Sequence, residues 1–111
     1  MANPQTFRMW VPQRRGRADL HFRAPFINHF TVVHIAVSEA TGLDQIEVIP
    51  LPNGANQTFK AHQGDASISL QNVTVEPGVV HFRVFVDWDS PLNLVTDLTF
   101  FDPPVEVVIG S

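Results

Sequence analysis

Between Val79 and Asp89 the chain alternates. Val80, Phe82, Val84, Val86 and Trp88 take every second position, and His81, Arg83, Phe85, Asp87 and Asp89 fall between them. Successive side chains of a strand point to opposite faces, so this segment presents one apolar face and one mixed face. Ser90-Pro91 breaks the run, after which Leu92, Leu94, Thr96, Leu98 and Phe100 resume the alternation. Pro77 to Phe101 therefore reads as the core hairpin of an all-β domain, with Trp88 continuing the inward row. Apolar faces of this kind require a second layer to cover them.

The rest of the chain repeats the pattern in shorter pieces. Thr6 to Val11 sets Phe7, Met9 and Val11 opposite Arg8 and Trp10, and Pro12 with Gln13 to Arg17 predicts an exposed loop. Asp19 to Arg23 alternates again, with Leu20 and Phe22 inward, and Ala24-Pro25-Phe26 turns the chain. Phe30 to Ser38 is apolar at nearly every position, which predicts a strand covered on both faces, by the opposing sheet and by a loop or a second subunit. Glu39 to Asp44 predicts a turn or short helical excursion, and Ile46 and Val48 a further strand. Pro50 to Gly54 is the strongest loop signal. Gln57 to His62 and Ala66 to Val75 predict two strands, and the one-residue phase shift between Leu70 and Val73 predicts a bulge. After Asp102-Pro103-Pro104, Val105, Val107 and Ile109 predict a last strand on a sheet edge. Eight or nine short strands without a helix give a single antiparallel β-sandwich or jelly roll spanning residues 1–111.

Composition narrows the class. A chain of 111 residues with 44% hydrophobic residues can build its own core, and nine Phe with no Tyr commit most aromatic content to apolar burial. Without cysteine there is no disulfide framework and no thiolate chemistry. The polar start and the lack of a long apolar run lead to the expectation of cytoplasmic production, or of a mature form of undetermined compartment, and of no membrane partner. Net charge is −4, but residues 1–24 carry Arg8, Arg14, Arg15, Arg17 and Arg23 against Asp19 alone, a balance of +4. The remainder carries −8 and would repel nucleic acid, so the arginines are expected to meet acidic groups of this fold or of a neighbouring copy.

Few residues form a chemical constellation. Five histidines, His21, His29, His34, His62 and His81, contain no pair at spacing two on one strand; His21 and His81 could meet only across strands. Asp87 and Asp89 share a face at the end of the strongest strand. They could begin an oxygen-rich cation site, for which calcium is the fitting ion, or simply blunt the strand end. No nucleophile motif surrounds Ser38, Ser67, Ser69 or Ser90, and no phosphate loop or metalloprotease helix is present, so a non-catalytic protein without cofactor is expected. Trp10 and Trp88 are candidate apolar platforms for a sugar ring, with Arg83 and Asp89 to bond its hydroxyls.

Leu20-His-Phe22-Arg-Ala-Pro25-Phe26 leading into Thr31 to Val37, with Gly78, Trp88, Asp89 and Phe100 downstream, resembles an H-type lectin domain. The resemblance touches about half the chain. It implies an antiparallel sandwich that assembles into trimers or hexamers and binds N-acetylgalactosamine-like sugars between subunits, with Trp88 and Asp89 as the matching positions. Two rivals stand beside this lectin-like reading. One is a structural self-assembling subunit of decoration, capsid or filament type; the other is a small enzyme or enzyme subunit using a metal or Asp and His.

Overall fold

The two best-alternating segments end up facing each other across a sandwich. The computed structural model describes residues 4–42, 49–54, 56–57 and 59–110. Their strands, in chain order, are β1 Gln5–Arg14, β2 Gly16–Arg23, β3 Val32–Gly42, β4 Ile49–Pro50, β5 Asn56–Gln57, β6 Phe59–Ala61, β7 Ser67–Glu76, β8 Val79–Asp87 and β9 Leu92–Phe101. One sheet, here sheet A, has the order β1-β9-β3-β6, and sheet B has the order β2-β8-β7. All pairings are antiparallel, and β4 with β5 forms a separate short ladder.

The all-β sandwich read from the sequence is the observed architecture. Each sheet is built around one of the alternating segments: β8 is central in sheet B and β9 in sheet A. Val80, Phe82, Val84 and Val86 of β8 and Leu94, Leu98 and Phe100 of β9 are all within 2% of complete burial. Each such side chain stabilises the fold by roughly 1.5–3 kcal/mol. The predicted hairpin is corrected accordingly. β8 and β9 do not pair; Ser90-Pro91 carries the chain from one sheet to the other, and the two apolar faces cover one another.

The same kind of crossing joins β1 to β2. The predicted loop at Gln13 to Arg17 is mostly strand, and Arg15 alone separates β1 from β2. Gln13 and Gly16 have φ of 48° and 66°, which turns the corner, and the Gln13 amide donates to Asn93 Oδ1 at 3.0 Å. Between β2 and β3 the chain is pinned by buried Ile27, whose carbonyl accepts from the Gly78 amide at 2.8 Å.

Other expectations need correction. β3 begins at Val32, and Phe30 is exposed in the preceding turn. Val33, Ile35 and Val37 pack on the core, whereas His34 and Ala36 are exposed, so the strand is not covered on both faces along its length. Glu39 to Gly42 continues β3 and is neither turn nor helix. The expected strand at Ile46 and Val48 lies outside the described residues. The predicted bulge is present: the β7–β8 register shifts between Gln71 and Thr74, with Asn72 at φ 54°. The last predicted strand is absent. Among the described residues, 103–110 join no ladder, because alternation supplies a suitable side-chain pattern but not a partner edge.

Candidate functional site

Alternation in β8 sends His81, Arg83, Phe85 and Asp87 to the outer face of sheet B. Register then decides their neighbours. On one side Asp19 opposes Arg83, His21 opposes His81 and Arg17 opposes Phe85. On the other, Gln71 opposes Arg83, Thr74 opposes His81 and Ser69 opposes Phe85. Asp19 accepts from Arg83 Nε at 2.8 Å and from Arg17 Nη2 at 3.1 Å. The Arg83 hydrogen bond, reinforced by Arg17, holds the Asp19 carboxyl below its ordinary pKa of 3.8. The His21 and His81 rings lie 6.5 Å apart, and His81 Nε2 is 3.7 Å from Glu76 Oε1.

The bulge shapes this face. Its extra residue displaces Asn72 from the ladder and opens a hollow of about 260 Å³. Asp19, His21, Asn72, Thr74, His81 and Arg83 contribute to its lining. The hollow offers hydroxyl, amide, imidazole, guanidinium and carboxylate groups to a polar guest. Its two imidazoles are not joined by a third metal-ligating side chain: among the described residues no three of His, Cys, Asp and Glu stand together as a cation site.

The sequence candidates are spread over the molecule. Arg83 is in the hollow. Trp88 is 40% exposed in the bend after β8, with exposed Asp87 and Asp89 on either side of it. Strand geometry ends at Asp87, which releases Trp88 from the inward row that alternation had predicted. Five residues of strand-like chain, roughly 16 Å, separate Trp88 from Arg83.

Trp10 belongs to the opposite face of the sandwich. Its ring packs on Phe59 at 5.0 Å, half-buried on the outside of sheet A. Beside it Arg8 grips Asp97 through Nε at 2.7 Å and Nη2 at 2.9 Å, and its Nη1 donates to Gln57 Oε1 at 2.8 Å. The Asp97 hydrogen bonds raise the Arg8 pKa further, so this cation is permanent. Gln57, buried, in turn donates to the Phe59 carbonyl. These contacts fasten β5 and β6 across the sheet. They also place one of the early arginines on an acidic group of the same fold.

The most exposed apolar stretch among the described residues follows β9. Val105, Val107, Val108 and Ile109 are 76–106% exposed, the extreme of apolar exposure among the described residues. The stretch had been read as a strand, and its pattern is that of one. Asn72 and Thr74 were missed as lining residues, although the phase shift at Leu70 to Val73 marked the place.

No protein-family model, no curated protein and no solved structure matches this chain.

Proposed function

We propose that this protein is a structural, self-assembling subunit whose copies are joined by residues 103–110, the arm that follows β9. The observation that carries this reading is the exposure of Val105, Val107, Val108 and Ile109. Four large apolar side chains in contact with water are costly, and contiguous exposed apolar surface of this kind marks an interaction site. Burying them gains roughly 6–12 kcal/mol gross per arm. Fixing five residues costs roughly 5–10 kcal/mol. A single arm therefore binds weakly, and assembly is concentration-dependent, strengthening where several arms engage at once.

Light scattering coupled to size exclusion tests the proposal. The unmodified chain is expected to gain mass with concentration, and Val107→Asp/Ile109→Asp to remain monomeric with the melting temperature of the dilute unmodified chain, since both side chains are almost fully exposed in the subunit. A monomer at every concentration, or a double variant that assembles normally, sinks the reading.

A carbohydrate-binding role has a separate support in the polar hollow on sheet B and in exposed Trp88 beside Asp89. The hollow suits a hydroxylated ring, and an exposed Trp suits its apolar face. A thermal-shift panel of simple sugars should then show a rise that Arg83→Met or Trp88→Ala abolishes. An absent shift across the panel removes this second reading.

A further inference from the structure

We infer that the arm of one copy adds as a fifth strand to the free edge of β1 in a second copy; the inference rests on the self-assembly proposed above. The arm is poorly placed to reach the same edge in its own subunit. β9 ends beside β1 and β3, so to reach the far side of β1 the chain would have to reverse and cross two strand spacings, roughly 9.6 Å. Three residues, Asp102-Pro103-Pro104, are available for this. Proline fixes φ and holds the preceding residue extended, so Asp102 and Pro103 continue outward and do not fold back. Another copy is free of that tether.

Among the described strands the two main sheets have four edges, β1 and β6 in sheet A and β2 and β7 in sheet B, while β4 and β5 have only two residues each. They are not equivalent. β6 has three residues, too few to pair with the arm's five. β7 is kinked by its bulge at Gln71 to Thr74, and bulges interrupt further pairing at an edge. The outward row of β2 is Arg17, Asp19, His21 and Arg23, charged or ionisable throughout, which guards an edge against an apolar strand. β1 carries one such charge in its outward row, Arg8, and that one is already held by Asp97 and Gln57. From Gln5 to Val11 its register with β9 is unbroken, and the bulge and Pro12 come only beyond that stretch.

The surroundings of that edge fit the arm. Between the β1 and β2 edges lies a groove of about 230 Å³, lined by the apolar Met9, Trp10, Val11 and Leu20 and by the charged Arg14 and Asp19. A strand laid along β1 would send Val105, Val107 and Ile109 to one face, over this groove and the half-buried Phe7 and Met9, and Glu106 and Val108 to the other. Charge agrees with this placement. The arm carries Glu106, whereas residues 1–24 hold the chain's +4 balance.

The cysteine-free sequence permits a clean test. Glu106→Cys protein is mixed with Thr6→Cys protein, or with Arg17→Cys or Ser69→Cys protein as reporters of the β2 and β7 edges, and treated with a short bismaleimide. Mass spectrometry is expected to find the Glu106–Thr6 link at least tenfold more abundant than either alternative. Gln5→Cys repeats the measurement if Thr6→Cys lowers the melting temperature. Copies that associate but cross-link equally well to Arg17→Cys or Ser69→Cys overturn the β1 assignment while leaving self-assembly standing. An unmodified chain that stays monomeric by light scattering removes both.

Discussion

Thr96 stands in the inner row of β9, between Leu94 and Leu98, fully buried and with no hydrogen-bond partner for its hydroxyl. A buried unsatisfied hydroxyl costs roughly 1–3 kcal/mol. Thr96→Val should therefore raise stability by about 1–2 kcal/mol in denaturant titration, and a loss of stability would show that the hydroxyl makes a contact the native core needs. The alternation had placed Thr96 inward correctly, since facing direction follows from position in a strand alone. Partners do not follow from it. Asp19 with Arg83, Arg8 with Asp97 and His21 with His81 depend on which strands become neighbours, and only the last meeting had been anticipated. Trp88 shows the opposite limit: periodicity assigns a face only while the strand continues, and here it stops one residue earlier.

At the scale of elements, the bulge was legible because an inserted residue changes the phase of the apolar pattern, and phase is written in the sequence. Its backbone conformation also constrains residue type. Asn72 tolerates φ 54°, where a β-branched side chain crowds the following carbonyl. Asn72→Val should destabilise the protein by about 1 kcal/mol and Asn72→Gly by less, as read from thermal melts; equal melting of all three would show that the bulge relaxes without strain. What the sequence concealed was connection. Ser90-Pro91 looked like a hairpin break, yet a break between two alternating runs serves equally to return a chain within one sheet or to pass it to the facing sheet. Likewise β3 looked covered on both faces, but Ala36 and His34 lie on its solvent side, and an alanine can face water at little cost.

For the whole molecule, the division into two facing sheets was recoverable because both central strands carry an uninterrupted apolar row. The candidate interaction site was recoverable only in part. Residues 105–109 announced a strand, and among the described residues they join no ladder. That mismatch between a strand-forming pattern and an unpaired segment is what the proposed self-assembly rests on. The early arginines are divided in the same sense: Arg8 is used within the subunit, while Arg15 and Arg23 are exposed on the surface.

The exposed arm also bears on how long a lone subunit survives. Proteases grip extended, accessible backbone, and residues 103–110 offer it before pairing and withdraw it afterwards. Cleavage there would discard the apolar strand and leave the sandwich intact, so a subunit that fails to find a partner loses the means of joining one. If copies join through the arm as proposed, its protection from limited proteolysis rises with protein concentration.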